Sequence, residues 1–316
     1  MQDFSRCTKP PVVIICAPTA CGKTDLAYNL FSSQSTRIFA NKAEIISADS
    51  QQVYKGMDIG TAKPDKNVQK ELPHHLIDIC EPNYQFGAGD FVRTAKIAVQ
   101  EIIAKNKLPV IVGGTAFYIK NFLYGLPPTP QVDEAIRQKI EYRMQTEGAE
   151  KLMQELQTVD PASAEKIHIH DEYRIKRALE VYHSTGTPRS KFIVPQTITQ
   201  DYNTLLLCLD RPRSELYERV EKRTDIMFDM GLETEIKALK AKGFGKDAPG
   251  MQAIGYREFF TYNSPEEIKQ HIVKSSKEYV KRQQTFFKTF KDAIFINSEK
   301  ICKIEQKIVD FLVNCT

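Results

Sequence analysis

An α/β fold, a parallel sheet interrupted by a helical insertion, is what this sequence predicts, and three observations predict it. The apolar β-branched run Val12-Val13-Ile14-Ile15 breaks into a loop ending Gly22-Lys23-Thr24, after which Leu26, Ala27, Leu30 and Phe31 begin an amphipathic helix. Val110-Ile111-Val112 followed by Gly113-Gly114-Thr115 repeats the design of a buried strand that breaks into a turn. Between them and a later strand, Leu205 to Leu209, about sixty residues carry helical spacing and few strand signals.

Composition narrows the class before any motif is weighed. With 41% hydrophobic and 27% charged residues among 316, the chain reads as an ordinary soluble protein with a sizeable core. Its net charge of +4 permits an acidic partner without demanding one. The seven cysteines are scattered with no C-x-x-C pair, which points to a reducing cytoplasm and to no zinc site. No apolar run approaches the ~18 residues of a membrane span, and Met1 to Arg6 lack a signal-peptide core, so no membrane association is expected.

Taken in order, the first element is the strand, loop and helix from Val12 to Phe31. Consecutive loop N–H groups and a helix N-terminus aim at one spot, where a di- or triphosphate finds donors and a favourable dipole. Lys23 would reach the phosphate oxygens, and the Thr24 hydroxyl would ligate Mg²⁺. Ala17 stands where the first glycine of G-x-x-x-x-G-K-[ST] belongs, so the loop requires that φ stay negative there. The expected core is P-loop NTPase-like.

Glu44 to Ala48 reads as a second strand, with Asp49 at its carboxyl end, where open α/β sheets bind ligands. Asp49 would bind Mg²⁺ through water, act as a general base, or merely cap a turn. His74 to Ile79 reads as a short strand; adjacent histidines on a strand point to opposite faces, so His74 and His75 make no metal pair. A helix follows from about Ala88 to Ile103, then the strand ending at Gly113, whose two glycines would let the backbone approach a ligand beside Thr115. Up to this point no apolar strand ends in a second acid of the Walker B type, which weighs against a nucleotide-driven motor.

Residues 122–198 read as a helical insertion, entered through the turn-rich Gly125 to Pro130. Within it Arg174 and Arg177 share one helix face, with Ile175, Ala178, Leu179 and Tyr182 turned to a core; the basic face suits a polynucleotide backbone or is simply solvated. After Leu205 to Leu209 a long helix carries Arg219 and Arg223 four apart, either of which would stabilise charge leaving as diphosphate. A helix runs from about Pro265 to Phe290, and the stretch from Lys274 to Lys291 sets Lys274, Lys277, Lys281, Arg282, Lys288 and Lys291 against one acid, Glu278, interleaved with Tyr279, Phe286 and Phe287. That is a nucleic-acid surface or an amphipathic helix with its aromatics in the core. Ala293 to Ile296 and a terminal helix finish the chain.

Seven blocks in order carry a resemblance: Cys16 to Thr24, Ser47 to Tyr54, Gly56 to Pro64, Gly113-Gly114-Thr115, Arg174 to Val181, Ile254 to Glu258 and Lys281-Arg282-Gln283. From about Val12 to Phe290 the chain resembles the bacterial tRNA dimethylallyltransferases. The resemblance implies transfer of the dimethylallyl group from dimethylallyl diphosphate to N6 of adenosine 37 in tRNAs reading codons that begin with U, by a cytoplasmic monomer. It implies that Thr19, Ala20, Cys21, Gly22, Lys23 and Thr24 hold the diphosphate with Mg²⁺ on Thr24. Asp49 would take the amine proton, Thr115 would position the same centre, and Arg223 would stabilise the diphosphate. It further implies tRNA contacts from Asp49, Ser50, Gln51, Gln52 and Thr115, from Arg137, Tyr173, Arg174 and Arg177 in the insertion, from Met251, Gln252, Gly255 and Tyr256, and from Lys281, Arg282, Gln283 and Phe286. Cys21 replaces a usual serine, Phe286 a usual tryptophan and Tyr173 a usual glutamine. Beside Lys23 and loop N–H donors, the Cys21 thiol is expected to have a lowered pKa and to be oxidisable.

Three rival readings make different demands, and the first, a pure RNA-binding protein, would not need Lys23, Thr24 and Asp49 together. A P-loop kinase of small molecules would turn over nucleotide, with the insertion as a lid. An isopentenyltransferase of free adenine nucleotides would need neither the insertion nor the basic aromatic helix.

Overall fold

The computed structural model describes residues 9–127, 129, 132–193, 195 and 197–315; Met1 to Arg6, Cys7, and Pro128 and Pro130 of the expected linker lie outside them. Contacts divide the chain into two compact units, residues 1–120 with 199–316, and residues 121–198.

The first unit opens with β1 (Pro11–Cys16) and α1 (Lys23–Phe31), then β2 (Ala43–Ser47), α2 (Lys66–Glu71), β3 (His74–His75), α3 (Ala88–Ala104), β4 (Leu108–Gly113) and α4 (Ala116–Tyr124). The helical unit holds α5 (Glu134–Val159), α6 (Pro161–Ala164) and α7 (Glu172–Thr185). The chain then returns through β5 (Asn203–Asp210), α8 (Arg213–Asp229), α9 (Leu232–Ala241), α10 (Pro265–Phe287), β6 (Ile294–Asn297) and α11 (Ile301–Val313).

The six strands form one sheet in the order β3-β2-β4-β1-β5-β6, every pairing parallel. Every residue of β1 is buried, as a central strand covered on both faces requires. Its register sets Cys16 beside Gly113 of β4 and Cys208 of β5, so β1 and β4 end at one level, β5 runs on to Asp210, and the loops after them leave from one edge. The order reverses at β1, which puts the crevice at the carboxyl end of that strand. Val13, Ile15, Leu26, Leu30, Phe31 and Leu207 pack one side of the sheet and fasten α1 to it, so the loop between β1 and α1 is held at both ends.

Differences from the expected elements have local causes. The strand expected over 74–79 stops after His75 because Leu76 and Asp78 take left-handed φ of 65° and 56°. His74 instead contacts the Leu72 carbonyl and His75 the Glu44 carboxylate, so neither is free for a metal. Within the span of α5, Gly148 leaves helical geometry with φ of 83°, so two helical segments meet there at a kink. The sequence reading passed over short α2 and α9 of the first unit and α4, which begins in that unit and ends past Lys120. The helical unit has a core of its own around Ile140, Met144, Leu152, Leu156, Ile175 and Leu179; Val181 joins the buried set and Tyr182 is only half-buried.

Candidate active site

The loop between β1 and α1 is shaped by two left-handed residues, Ala20 with φ of 65° and Gly22 with φ of 90°. Ala17 is not among the left-handed residues; it is fully buried and its N–H bonds to the Gly113 carbonyl at 3.3 Å, so the missing first glycine costs no strain. The strain lies instead at Ala20, where an L-residue in this conformation costs about 1–2 kcal/mol. Lys23 Nζ donates to the Ala17 and Pro18 carbonyls at 3.0 and 2.9 Å, folded back over the loop. Burial pulls its pKa below the usual lysine value, and the neighbouring Arg223 adds to this while Cys21 and Asp49 oppose it. Thr24 is exposed on the first turn of α1.

Cys21 departs from expectation. Its side chain is fully buried, and burial pushes the thiol pKa up, outweighing Lys23 and Arg211; the side chain bonds to Ser298. It is neither an activated thiol nor, through its side chain, a ligand contact, because the loop turns it into the core.

The next two loops are knitted to the first. Asp49 Oδ1 accepts from the N–H groups of Gln51 and Gln52 at 2.9 and 3.3 Å, so it does cap a turn, and it also lines two cavities. Thr115 Oγ1 accepts from the Ser50 N–H at 3.0 Å and the Tyr279 phenol bonds to the same hydroxyl. Burial, with Asp49 nearby, pushes Tyr279 up to about 12, so the phenol keeps its proton. The glycines after β4 serve packing rather than ligand approach: a Cβ on Gly113 would lie 2.1 Å from the Ala48 carbonyl oxygen. From α10, Gln283 joins two loops, accepting from the Thr19 N–H at 2.9 Å and donating to the Gly114 carbonyl at 2.8 Å.

Two cavities meet at this edge. One, of about 560 Å³, opens on Ala20, Gly22, Lys23 and Thr24, with Arg219 and Lys222 on its wall. Arg219 Nε donates to the Ala20 carbonyl at 2.7 Å. The other, of about 310 Å³, lies among Ser50, Gln51, Gln252, Gly255, Arg282 and Gln283. Thr19, Asp49, Thr61 and Arg223 line both. Burial lowers the pKa of Arg223 and Asp49 opposes the shift, and a guanidinium stays charged regardless. Both volumes fall within the ~300–1,000 Å³ of small-ligand sites. In the smaller cavity Gln51 Oε1 is buried with no hydrogen-bond partner among the described residues, an acceptor that a bound amine would satisfy.

Not all the expected contacts face outward. Met251 and Tyr256 are fully buried and Gln283 is 3% exposed, so none of the three lies on the outer surface, and Gln283 reaches the wall of the smaller cavity. Gln52 is spent on the Ser47 hydroxyl and the Thr61 and Ala62 carbonyls. Lys281 and Arg282 are exposed, and Phe286, half-buried, lies 5.8 Å beneath Lys120 Nζ. Helix α10 therefore satisfies both of its readings, with Ile268, Ile272, Val280 and Phe287 in the core and cations outside.

In the helical unit Arg137, Arg174 and Arg177 each sit by an acid three residues away, Glu134, Asp171 and Glu180. Such pairs contribute little and are readily exchanged for another anion. Tyr173 is exposed beside them. Sequence reasoning passed over Arg189, whose pKa burial and the nearby Arg177 push down; no short motif marks it. It also passed over Glu235 on α9, whose carboxylate takes three backbone N–H groups of residues 58–60; an amphipathic helix gives no sign of such a role.

Adjacent cavities sharing a carboxylate and an arginine, one of them seated on a phosphate-binding loop, are the layout of a group transferase on a P-loop NTPase-like fold. Comparison with known proteins carries this further. The sequence profile of the IPP transferase family matches residues 52–290. The chain is 40% identical over 286 residues to tRNA dimethylallyltransferase 1 of Trichlorobacter lovleyi, covering 89% of this chain and 92% of that one. It is 39% identical to the tRNA dimethylallyltransferase of Bacillus pumilus, covering 95% and 93%. Among solved structures it superposes on the tRNA isopentenylpyrophosphate transferase of Bacillus halodurans with a TM-score of 0.67, 33% identity and coverage of 96% and 97%. A eukaryotic dimethylallyltransferase acting on tRNA gives a TM-score of 0.74 at 26% identity, covering 91% of this chain and 74% of that one. The chain belongs to the IPP transferase family and is a prenyl-transferring enzyme.

Proposed function

We propose that this enzyme transfers the dimethylallyl group from dimethylallyl diphosphate to N6 of adenosine 37 in tRNAs reading codons that begin with U. The observation that carries the reading is that Asp49 and Arg223 line both cavities at once. A diphosphate on the loop and an adenine in the smaller cavity would bring the allylic carbon and the amine together at that boundary. The allylic C–O bond breaks with its electron pair going to the diphosphate oxygen, the C–N bond forms, and the amine proton passes to Asp49. Lys23, Arg219, Arg223 and the loop N–H groups stabilise the charge that develops on diphosphate. A positioned base contributes ~10²–10⁴-fold where the nucleophile is a purine amine.

Mg²⁺ fits this site through Thr24. Among the described residues no cluster of three or more His, Cys, Asp or Glu would hold a metal, while Mg²⁺ needs only one or two protein oxygens beside phosphates and water. The Thr24 hydroxyl, exposed on the loop cavity, would hold the ion, which when bound neutralises phosphate charge.

The adenine must leave its stack to enter a cavity of this depth. Arg282, exposed and on the wall of that cavity, the exposed Lys281 next to it in the chain, and the arginines of the helical unit suit the RNA backbone. Among the described residues no helix is long and apolar enough to cross a membrane, and the proposed enzyme is a cytoplasmic monomer.

The test is transfer of label from radioactive dimethylallyl diphosphate to unmodified tRNA with Mg²⁺. Label appears in tRNA with the native enzyme and is lost in Asp49→Ala and Lys23→Ala, while Asp49→Ala still binds tRNA. Label on AMP, or turnover of ATP, in place of tRNA would overturn the reading.

A further inference from the structure

Glu235 gathers four hydrogen bonds on one carboxylate. Its Oε2 accepts from the Asp58 and Ile59 N–H groups at 2.9 and 2.7 Å, and its Oε1 from the Gly60 N–H at 3.3 Å and the Tyr256 hydroxyl at 2.6 Å. The groups it joins belong to two segments that are distant in sequence and both line the smaller cavity. Residues 58–60 lead into Thr61, whose carbonyl accepts from Arg223 Nη2 at 3.4 Å and which lines both cavities. Tyr256 ends the segment Gln252 to Gly255, which walls the smaller cavity only. The two strands of chain are pressed together: a Cβ on Gly60 would lie 2.4 Å from the Tyr256 ring, and Tyr256 is fully buried.

We propose that Glu235 is a positioning residue that locks the wall of the acceptor cavity to the turn that holds Arg223. Burial and the Glu235 carboxylate both keep the Tyr256 phenol protonated, so it donates, and the carboxylate accepts on every side. Glutamine cannot take its place. Its amide nitrogen is a donor, and whichever side it occupies it faces an N–H or the phenol, leaving a buried donor without an acceptor. The turn then loosens, and Arg223 loses the carbonyl that fixes it relative to Asp49. A misplacement of about 1 Å at reacting groups costs on the order of 10²-fold in rate.

This inference rests on the proposed transfer reaction, and two kinds of readout separate them. In Glu235→Gln the kcat for transfer falls about 10–100-fold at saturating substrates, and the dissociation constant for tRNA stays within about twofold. Amide hydrogen exchange rises at residues 58–60, and inorganic diphosphate, which reports the loop cavity without any chemistry, binds more weakly. Tyr256→Phe removes one of the four hydrogen bonds and lowers kcat by about 3–10-fold, which keeps the test open where Glu235→Gln fails to fold. A lower melting temperature with unchanged kcat, unchanged diphosphate affinity and unchanged exchange at 58–60 would reduce Glu235 to a structural residue and overturn the inference. Failure of the native enzyme to modify tRNA would overturn the reaction instead, and the exchange and diphosphate measurements would still decide the role of Glu235.

Discussion

Gln283 shows how far a residue's role depends on where its side chain ends. Within the Lys281-Arg282-Gln283 block it reads as an RNA contact, yet it is buried and spans the Thr19 N–H and the Gly114 carbonyl. Gln283→Ala leaves both groups unpaired at a cost of about 1–3 kcal/mol. The expected outcome is a lower urea midpoint and weaker diphosphate binding, measured by denaturation and by titration with inorganic diphosphate. Cys21 makes the same point in reverse: Lys23 beside it in the chain suggested an activated thiol, but burial outweighs a neighbouring charge. Sequence adjacency names the neighbour; it does not say which way a loop turns the side chain.

At the scale of elements, the strands were legible because each is an apolar run bounded by turn residues, and their order in the sheet was not. Glu44 illustrates the gap. On a buried strand its carboxylate is 3% exposed, and β2 accommodates it only because His75 of β3 and Lys105 and Lys107 before β4 converge on it. Burial alone would raise its pKa, but hydrogen bonds from His75, Lys105 and Lys107 outweigh this and hold it below the ordinary glutamate value. A carboxyl with a depressed folded-state pKa contributes stability that is fully present above its unfolded pKa and lost as pH falls through the folded value. Urea midpoints should therefore drop on acidification below about pH 4.5, and Glu44→Gln should be less stable at neutral pH with a shallower acid loss. An unchanged acid profile would remove Glu44 from that balance.

At the scale of the whole molecule, the helical unit has a core independent of the sheet, which makes its stability separable. Ile175 is fully buried at the centre of that core, and Ile175→Ala costs about 2–5 kcal/mol there. Calorimetry should show one transition moved to lower temperature with the other unmoved, and diphosphate binding to the sheet unit retained. A uniform shift of both would mean that the chain unfolds as a single cooperative body. With net charge of only +4, affinity for a polynucleotide depends on where the cations gather rather than on their sum.

Local order wrote the strand-loop-helix at the start of the chain, the six strands, the change to helical spacing after Asn121 and the blocks that mark the family, because each depends on residues close together in sequence. The contacts between distant segments were not legible in this way. Asp49 meets Arg223 across more than 170 residues, Gln283 bridges two loops, and Glu235 reaches the turn at 58–60 from a helix that carries no motif. A carboxylate on an amphipathic helix looks the same in the sequence whether it faces water or takes four hydrogen bonds. Only the return of β5 beside β1 brings α8 and α10 over the phosphate loop and α9 against the turn at 58–60, and so gives those side chains their partners.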